Sequence, residues 1–229
     1  AVGKTLKAAG VNFGILGVEE TCCGDPARRM GNEYLYQLQA MKNIETMKGY
    51  GVRQIVTSCP HCYNALKNEY PQMGGNFEVI HHSQLLGQLV EESKLKPVTG
   101  VDGLVTYHDS CYLGRYNDLY QDPRRVLSAI PGLELKDMDR SFRYSFCCGA
   151  GGGRYWMEER TGKRISEERI EEIIATSAGT VASACPYCLA MFEDAIKDKG
   201  MEEKLFARDI AELMAQSIEG GKQTSSLSL

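Results

Sequence analysis

The chain has 229 residues, 43% hydrophobic and 24% charged, with a formal net charge of −4. That balance suits one large or two smaller globular domains and carries no basic excess for nucleic acid. No apolar run approaches the ~20 residues of a membrane span, and the amino terminus lacks a signal-peptide pattern. Nine cysteines stand out. The count is odd, the chain is long and the cysteines come in twos. This argues against a secreted disulfide scaffold and for metal binding or redox chemistry in the cytoplasm.

In chain order, the first signal is TCCGDPARR at Thr21–Arg29. Asp25 and Pro26 read as the cap and first residue of a helix through GNEYLYQLQAMKNIETMKGYG. Its apolar positions are Tyr34, Leu38, Met41 and Met47, and Gly49 or Gly51 ends it. RQIVTS is a short buried strand leading into Cys59 and Cys62 of SCPHC, and NALKNEY starts another helix. The run FEVI places His81 and His82 at a strand terminus, in preference to metal ligation. A polar connection follows around Glu91–Gly103, and the strand GLVTYHD ends at Cys111. FCCGAGGGR at Phe146–Arg154 repeats the adjacent cysteines, and the nearby Trp156 is expected in the core. GTVASA is a strand entering Cys185 and Cys188 of ACPYC, and the helix LAMFEDAIKDKG comes next. The tail GGKQTSSLSL reads as disordered. Strands alternating with helices predict an α/β fold with a largely parallel sheet, whose ligand residues gather at the carboxyl ends of strands.

The chain repeats itself. Cys22 and Cys23 recur 125 positions later as Cys147 and Cys148, and Cys59 and Cys62 recur 126 positions later as Cys185 and Cys188. A period this long means two homologous repeats rather than a solenoid. The expected division is residues 1–98, residues 99–219 and a tail at 220–229, each repeat having a small parallel sheet with flanking helices.

The second repeat reads C-x35-CC-x36-CxxC from Cys111 onward, five cysteines from three separated loops. A tetrahedral structural zinc needs four ligands and has no use for a fifth. Five converging thiolates suit an iron–sulfur cluster better. Gly24, Gly149, Gly151 and Gly152 then allow close backbone approach, with N–H groups able to reach sulfur. Helix N-termini after each CC and CxxC would favour a negatively charged group. His61 has two readings, a hydrogen-bond donor to a cluster or a capping residue. Tyr107, His108 and Asp109 either sit behind Cys111 or simply close the strand. Arg28, Arg29, Arg115 and Arg154 either offset thiolate charge or pair with acidic helices. The motifs leave other functions open. CPHC and CPYC are also dithiol motifs of thioredoxin-like enzymes, a zinc scaffold is another reading, and one or two cysteines could be buried and inert.

With these cysteines in tandem, the sequence resembles the CCG domain of the heterodisulfide reductase family across nearly its whole length. The segments CCGDPARR, NEYLYQ, CPHCYNALKNEYP, EVIHH and YHDSCYLGRYN resemble the branch of membrane-associated iron–sulfur reductases that link electron-transfer flavoprotein to a quinone. The resemblance implies up to two non-cubane [4Fe–4S] clusters. Cys111, Cys147, Cys148, Cys185 and Cys188 would hold one, and Cys22, Cys23, Cys59 and Cys62 would supply four of five ligands for the other. It also implies a flavoprotein partner, a quinone or disulfide substrate, and further iron–sulfur or membrane subunits or domains. The location expected is the cytoplasm, on the inner face of the membrane where an upstream region anchors it. The first-repeat counterpart of Cys111 is expected about a dozen residues before Ala1, as the repeat period requires. A scaffold role for a degenerate repeat is the alternative from a different class.

Overall fold

Short strands alternating with helices set up both sheets of the computed structural model, which describes residues 1–159 and 161–218. The tail expected to be disordered lies outside the described residues. In the first half, α1 (Val2–Ala8), α2 (Asp25–Arg29) and α3 (Glu33–Gly49) precede β1 (Gln54–Thr57). Then come α4 (Pro60–Asn64), β2 (Glu78–His81) and α5 (His82–Glu91). The second half runs β3 (Gly103–His108), α6 (Gln121–Ser128), β4 (Leu133–Leu135) and α7 (Ile165–Ala175). It finishes with β5 (Thr180–Ser183), α8 (Pro186–Asp198), β6 (Phe206–Asp209) and α9 (Ile210–Ile218).

The fold is α/β, as expected. β1 and β2 pair in parallel, with Thr57 opposite His81. The second sheet has the order β4-β3-β5-β6, entirely parallel, with Ser183 facing both His108 and Asp209 in register. The run β1-α4-β2-α5 corresponds element by element to β5-α8-β6-α9. Val181, Ala182 and Ser183 of β5 are buried on both faces, as a central parallel strand requires.

Two local expectations need correction. Asp25 does not cap the long helix: α2 is a separate helix entered through Gly24 at φ 87°, and Gly31 at φ 84° breaks the chain after it. α3 is capped instead by Asn32, whose side chain accepts from Leu35 N at 3.0 Å. Nor does α3 bury the expected apolar stripe: Tyr34, Leu38 and Met41 are exposed. The buried face is Tyr36, Ala40, Asn43, Ile44 and Met47. Both stripes have helical spacing, so periodicity could not choose between them. Asn43 turns the helix, because its amide donates to Cys22 O at 2.9 Å and to Tyr70 Oη at 3.1 Å.

Three hydrophobic clusters form the interior. One belongs to the first half, around Tyr36, Ile44 and Tyr70, and one to the second, around Ile170, Val181 and Phe192. The third joins the halves. It gathers Leu6, Leu86 and Leu89 with Leu127, Ala182, Ile210 and Met214. Polar links follow the same seam: His82 Nε2 lies 3.1 Å from Asp209 Oδ1, connecting the ends of β2 and β6. The connecting segment is also held, since the Val98 and Thr99 N–H groups donate to Ser217 O at 3.1 and 2.9 Å. Among the described residues, no helix is long and apolar enough to cross a membrane.

The shared cluster makes a measurable prediction. Leu86 is fully buried in it, so Leu86→Ala should cost about 2–5 kcal/mol. Urea unfolding of the variant should show both halves losing stability together in one transition. Two separated transitions, with only one displaced, would contradict this.

Candidate metal centre

The cysteines sit where parallel strands end. β1 runs through Ser58 into Cys59, and β5 through Ala184 into Cys185. Proline at the first position of α4 and of α8 starts each helix inside the CxxC, leaving Cys59 and Cys185 as extended N-cap residues. β3 ends at His108, three residues before Cys111. All nine cysteines are free thiols.

The second set is the more enclosed. Cys188 Sγ lies 3.3 Å from Cys148 Sγ, and both are buried with Cys185. Cys111 and Cys148 are the side chains that most perturb Cys147, so thiols from all three segments lie near one another. Those contacts hold the Cys147 thiol down at about 2. Cys111 and Cys148 are pushed up, chiefly by their bonds to the Cys147 sulfur. Burial raises the Cys185 thiol, but hydrogen bonds from Cys188 and His61 outweigh it and bring it to about 5.

The first set joins Cys22, Cys23, Cys59 and Cys62. Hydrogen bonds from Cys22 and Cys62 hold Cys23 low, while its two partners are raised. This set borders an open cavity of about 540 Å³, lined also by Glu20, Thr21, His61 and Tyr187. Cys22 is exposed.

Polar anchors fix both adjacent-cysteine loops. In the first, Tyr70 Oη donates to Cys23 O at 3.0 Å, and Asn43 donates to the carbonyl before it. In the second, the buried Asp109 carboxylate takes both ends of the Arg124 guanidinium at 2.7 and 2.9 Å. It also accepts from Phe142 N at 2.7 Å, while Ser145 Oγ donates to Asp109 O at 3.0 Å. The end of β3 is thereby tied to the segment that delivers Cys147.

The glycines divide. Gly24 N donates to Cys22 Sγ at 3.4 Å and Gly149 N to Cys147 Sγ at 3.3 Å. Gly151 has open space around it, and Gly152 borders a small recess beside Asp25, His61 and Tyr187. A helix follows Cys22–Cys23 but not Cys147–Cys148, where only the short turn Arg154–Trp156 comes after. Trp156 is not in the core: it is exposed and meets Tyr187 edge to face at 5.9 Å. Its strand-free, glycine-rich approach leaves it on the rim of that recess.

The flanking arginines are committed elsewhere. Arg28 pairs with Glu69 at 2.8 Å, Arg29 with Asp25 at 3.0 Å and Arg154 with Glu159 at 3.0 Å, and Arg115 donates to Ser145 O. His81 caps α5 at the end of β2. His61 is a buried neighbour of the cysteines rather than a cap. His108 lies behind the second set: His108, Cys148 and Cys188 place donor atoms within 4.8 Å of one another. Arg169 is the contributor that sequence reasoning missed. It is fully buried and donates to His108 Nδ1 at 3.2 Å. Nothing in the charged sequence of α7 singles it out.

The donor sets fit a thiophilic, multinuclear group. Both consist of soft sulfur donors, and the five at the second site exceed what tetrahedral zinc takes.

Comparison with known proteins agrees with this chemistry. The family described as CCG, cysteine-rich domain, matches residues 1–67 and 105–193. A protein of Syntrophomonas wolfei named EtfAB:quinone oxidoreductase is 46% identical over 226 residues, covering 96% of this chain and 32% of that protein. The probable iron–sulfur-binding oxidoreductase FadF of Bacillus subtilis is 49% identical over 217 residues, covering 95% of this chain and 31% of its own. One component of the dihydromethanophenazine:CoB–CoM heterodisulfide reductase of Methanosarcina barkeri is 34% identical over 224 residues, covering 95% and 54%. The chain thus spans about a third of the first two relatives and about half of the third.

The loop geometry predicts which glycine matters. Gly149 has φ 97°, and a Cβ there would sit 3.2 Å from Ile165 Cβ, whereas Gly151 has no positive φ and nothing within 4 Å. Gly149→Ala should therefore lose about 1–3 kcal/mol of stability. Gly151→Ala should stay near the parent in the same urea titration.

Proposed function

Because this chain belongs to the CCG cysteine-rich domain family, we propose that it is an iron–sulfur electron-transfer unit of a larger oxidoreductase. The observation that carries the reading is the meeting of five free thiols from three segments at the carboxyl ends of β3 and β5. In this reading Cys111, Cys147, Cys148, Cys185 and Cys188 hold one cluster, and Cys22, Cys23, Cys59 and Cys62 hold the other. Gly24 and Gly149 direct backbone N–H groups at ligating sulfurs. The clusters are of the non-cubane [4Fe–4S] type that the sequence resemblance implies, and when bound they would supply electron transfer.

The chain's own residues prepare the site. The Asp109–Arg124 pair and Ser145 fix the second loop, and the burial of Cys148, Cys185 and Cys188 keeps water from those thiols. Electrons pass between a flavoprotein and a quinone, with other iron–sulfur or membrane domains completing the protein. This is supported by the names of the Syntrophomonas and Bacillus relatives. A second reading, reduction of a disulfide, is favoured by the open cavity of about 540 Å³ against the first cysteine set.

Anaerobic reconstitution tests the assignment. The protein should turn brown and bind iron with acid-labile sulfide; stoichiometric zinc without sulfide would remove the basis for the reading. Cys148→Ser should abolish the second site's signal and leave the first largely intact. An iron chelator should strip the first site sooner, because Cys22 is exposed whereas Cys185 and Cys188 are 1% and 2% exposed.

A further inference from the structure

α3 and α7 hold the same place in the order of the two repeats, each preceding the strand that enters a CxxC. The 126-residue offset from Cys59 to Cys185 lays the end of α3, from Gln39 to Gly49, onto the whole of α7. Burial keeps that register. The buried residues of this stretch are Ala40, Asn43, Ile44 and Met47 in α3, and Ser166, Arg169, Ile170 and Ile173 in α7. At one of the four matched positions the repeats differ in charge: Asn43 stands where the second has Arg169.

Both side chains reach the adjacent-cysteine segment of their own repeat. The Asn43 amide donates to Cys22 O at 2.9 Å. Arg169 Nη2 donates at 3.3 Å to the hydroxyl of Ser145, two residues before Cys147, and Nε donates to His108 Nδ1 at 3.2 Å. The His108 ring in turn places a nitrogen within 4.8 Å of the Cys148 and Cys188 sulfurs. A guanidinium keeps its charge even when buried. The one carboxylate that Arg169 meets is Glu172, which it shares with Arg140. Glu172 is 20% exposed and Arg169 0%, so the negative end of the pair is hydrated while the positive end faces buried, uncharged acceptors. Arg124 differs, being taken by two carboxylates, Asp109 and Asp137. In the first repeat the matching pair is Asn43 and Thr46, and neither is charged.

We propose that this helix position tunes the two cysteine sites apart. Arg169 is a positioning residue that holds Ser145 and His108 and sets a fixed positive charge behind the second site, whereas Asn43 leaves the first without one. The inference rests on the iron–sulfur reading of both sites. A cluster gains negative charge on reduction, so a nearby cation stabilises the reduced state and raises the potential. Burial leaves that interaction little screened by salt.

The test is the midpoint potential of each site in the reconstituted 229-residue chain, by EPR-monitored redox titration with iron and sulfide counted in every sample. Signals belong to the second site if Cys148→Ser removes them. Arg169→Lys and Arg169→Met both forfeit the guanidinium fork, but only Lys keeps the charge. Arg169→Met should move the second midpoint negative by about a tenfold change in the reduction equilibrium, about 59 mV for one electron. Arg169→Lys should stay close to the parent, and neither variant should move the first site. Glu172→Gln removes the counter-charge and should move the second midpoint the opposite way. Equal midpoints in the Lys and Met variants, with the second site loaded in both, overturn the proposal, because a merely structural role would affect them alike. Should Arg169→Met lose its iron, Glu172→Gln carries the test, and a midpoint that stays or falls there overturns the proposal. Parent protein without iron and sulfide would instead overturn the iron–sulfur reading, and the tuning with it.

Discussion

Thiols crowded this closely repel one another once ionised, and the rest of the structure answers to that constraint. At 4 Å two like charges oppose each other by about 4 kcal/mol even with an effective dielectric of 20. Cys148 and Cys188 are closer than that, with sulfurs 3.3 Å apart. The thiol sets respond by sharing protons: Cys147 and Cys185 are held low while Cys111, Cys148 and Cys188 are raised. Arg28, Arg29, Arg124 and Arg154 do not relieve the crowding, because they are engaged by carboxylates. Iron bound by these sulfurs would, because its positive charge offsets the negative charge of the thiolates.

Parallel strands solve the gathering problem. β1 and β5 each carry the first cysteine of a CxxC to the carboxyl end of their sheet, and a proline-started helix then takes up the second. The adjacent-cysteine loops come from elsewhere in each half and need separate anchors. Asn43 with Tyr70 does this in the first half; Asp109 with Arg124 and Ser145 does it in the second. Buried polar networks of this kind matter because an unpaired member in a low dielectric is expensive. Equivalent loops are thus held by chemically unlike residues, although the strands and helices beneath them correspond.

Much of this was legible beforehand. The cysteine spacing, the strand preceding each CxxC and the parallel α/β architecture all follow from local pattern, since β-branched runs and proline at a helix start act over a few residues. The errors were also local in origin. α3 carries two apolar stripes, and Asn43 decides between them through contacts with Cys22 and Tyr70, 21 and 27 residues away. Asp25 had the composition of a helix cap but is buried against His61, 36 residues on. Trp156 looked like core by residue type and lies on an exposed rim.

By itself the sequence determined that nine thiols are arranged in two related sets, each attached to a strand–helix unit, and that one set has five members and the other four. Those are properties of composition and spacing along one chain. Only the tertiary structure decided that the repeats share a hydrophobic core through Leu6, Leu86, Leu127 and Ile210, and that their strand ends face each other. It alone decided that Tyr187 of the second CxxC lines the cavity of the first set and meets His61 there. The reason is that spacing fixes which residues are neighbours within a repeat. The approach of one repeat to the other is set by burying α1 and α5 against α6 and α9, a packing solution with no short-range signature.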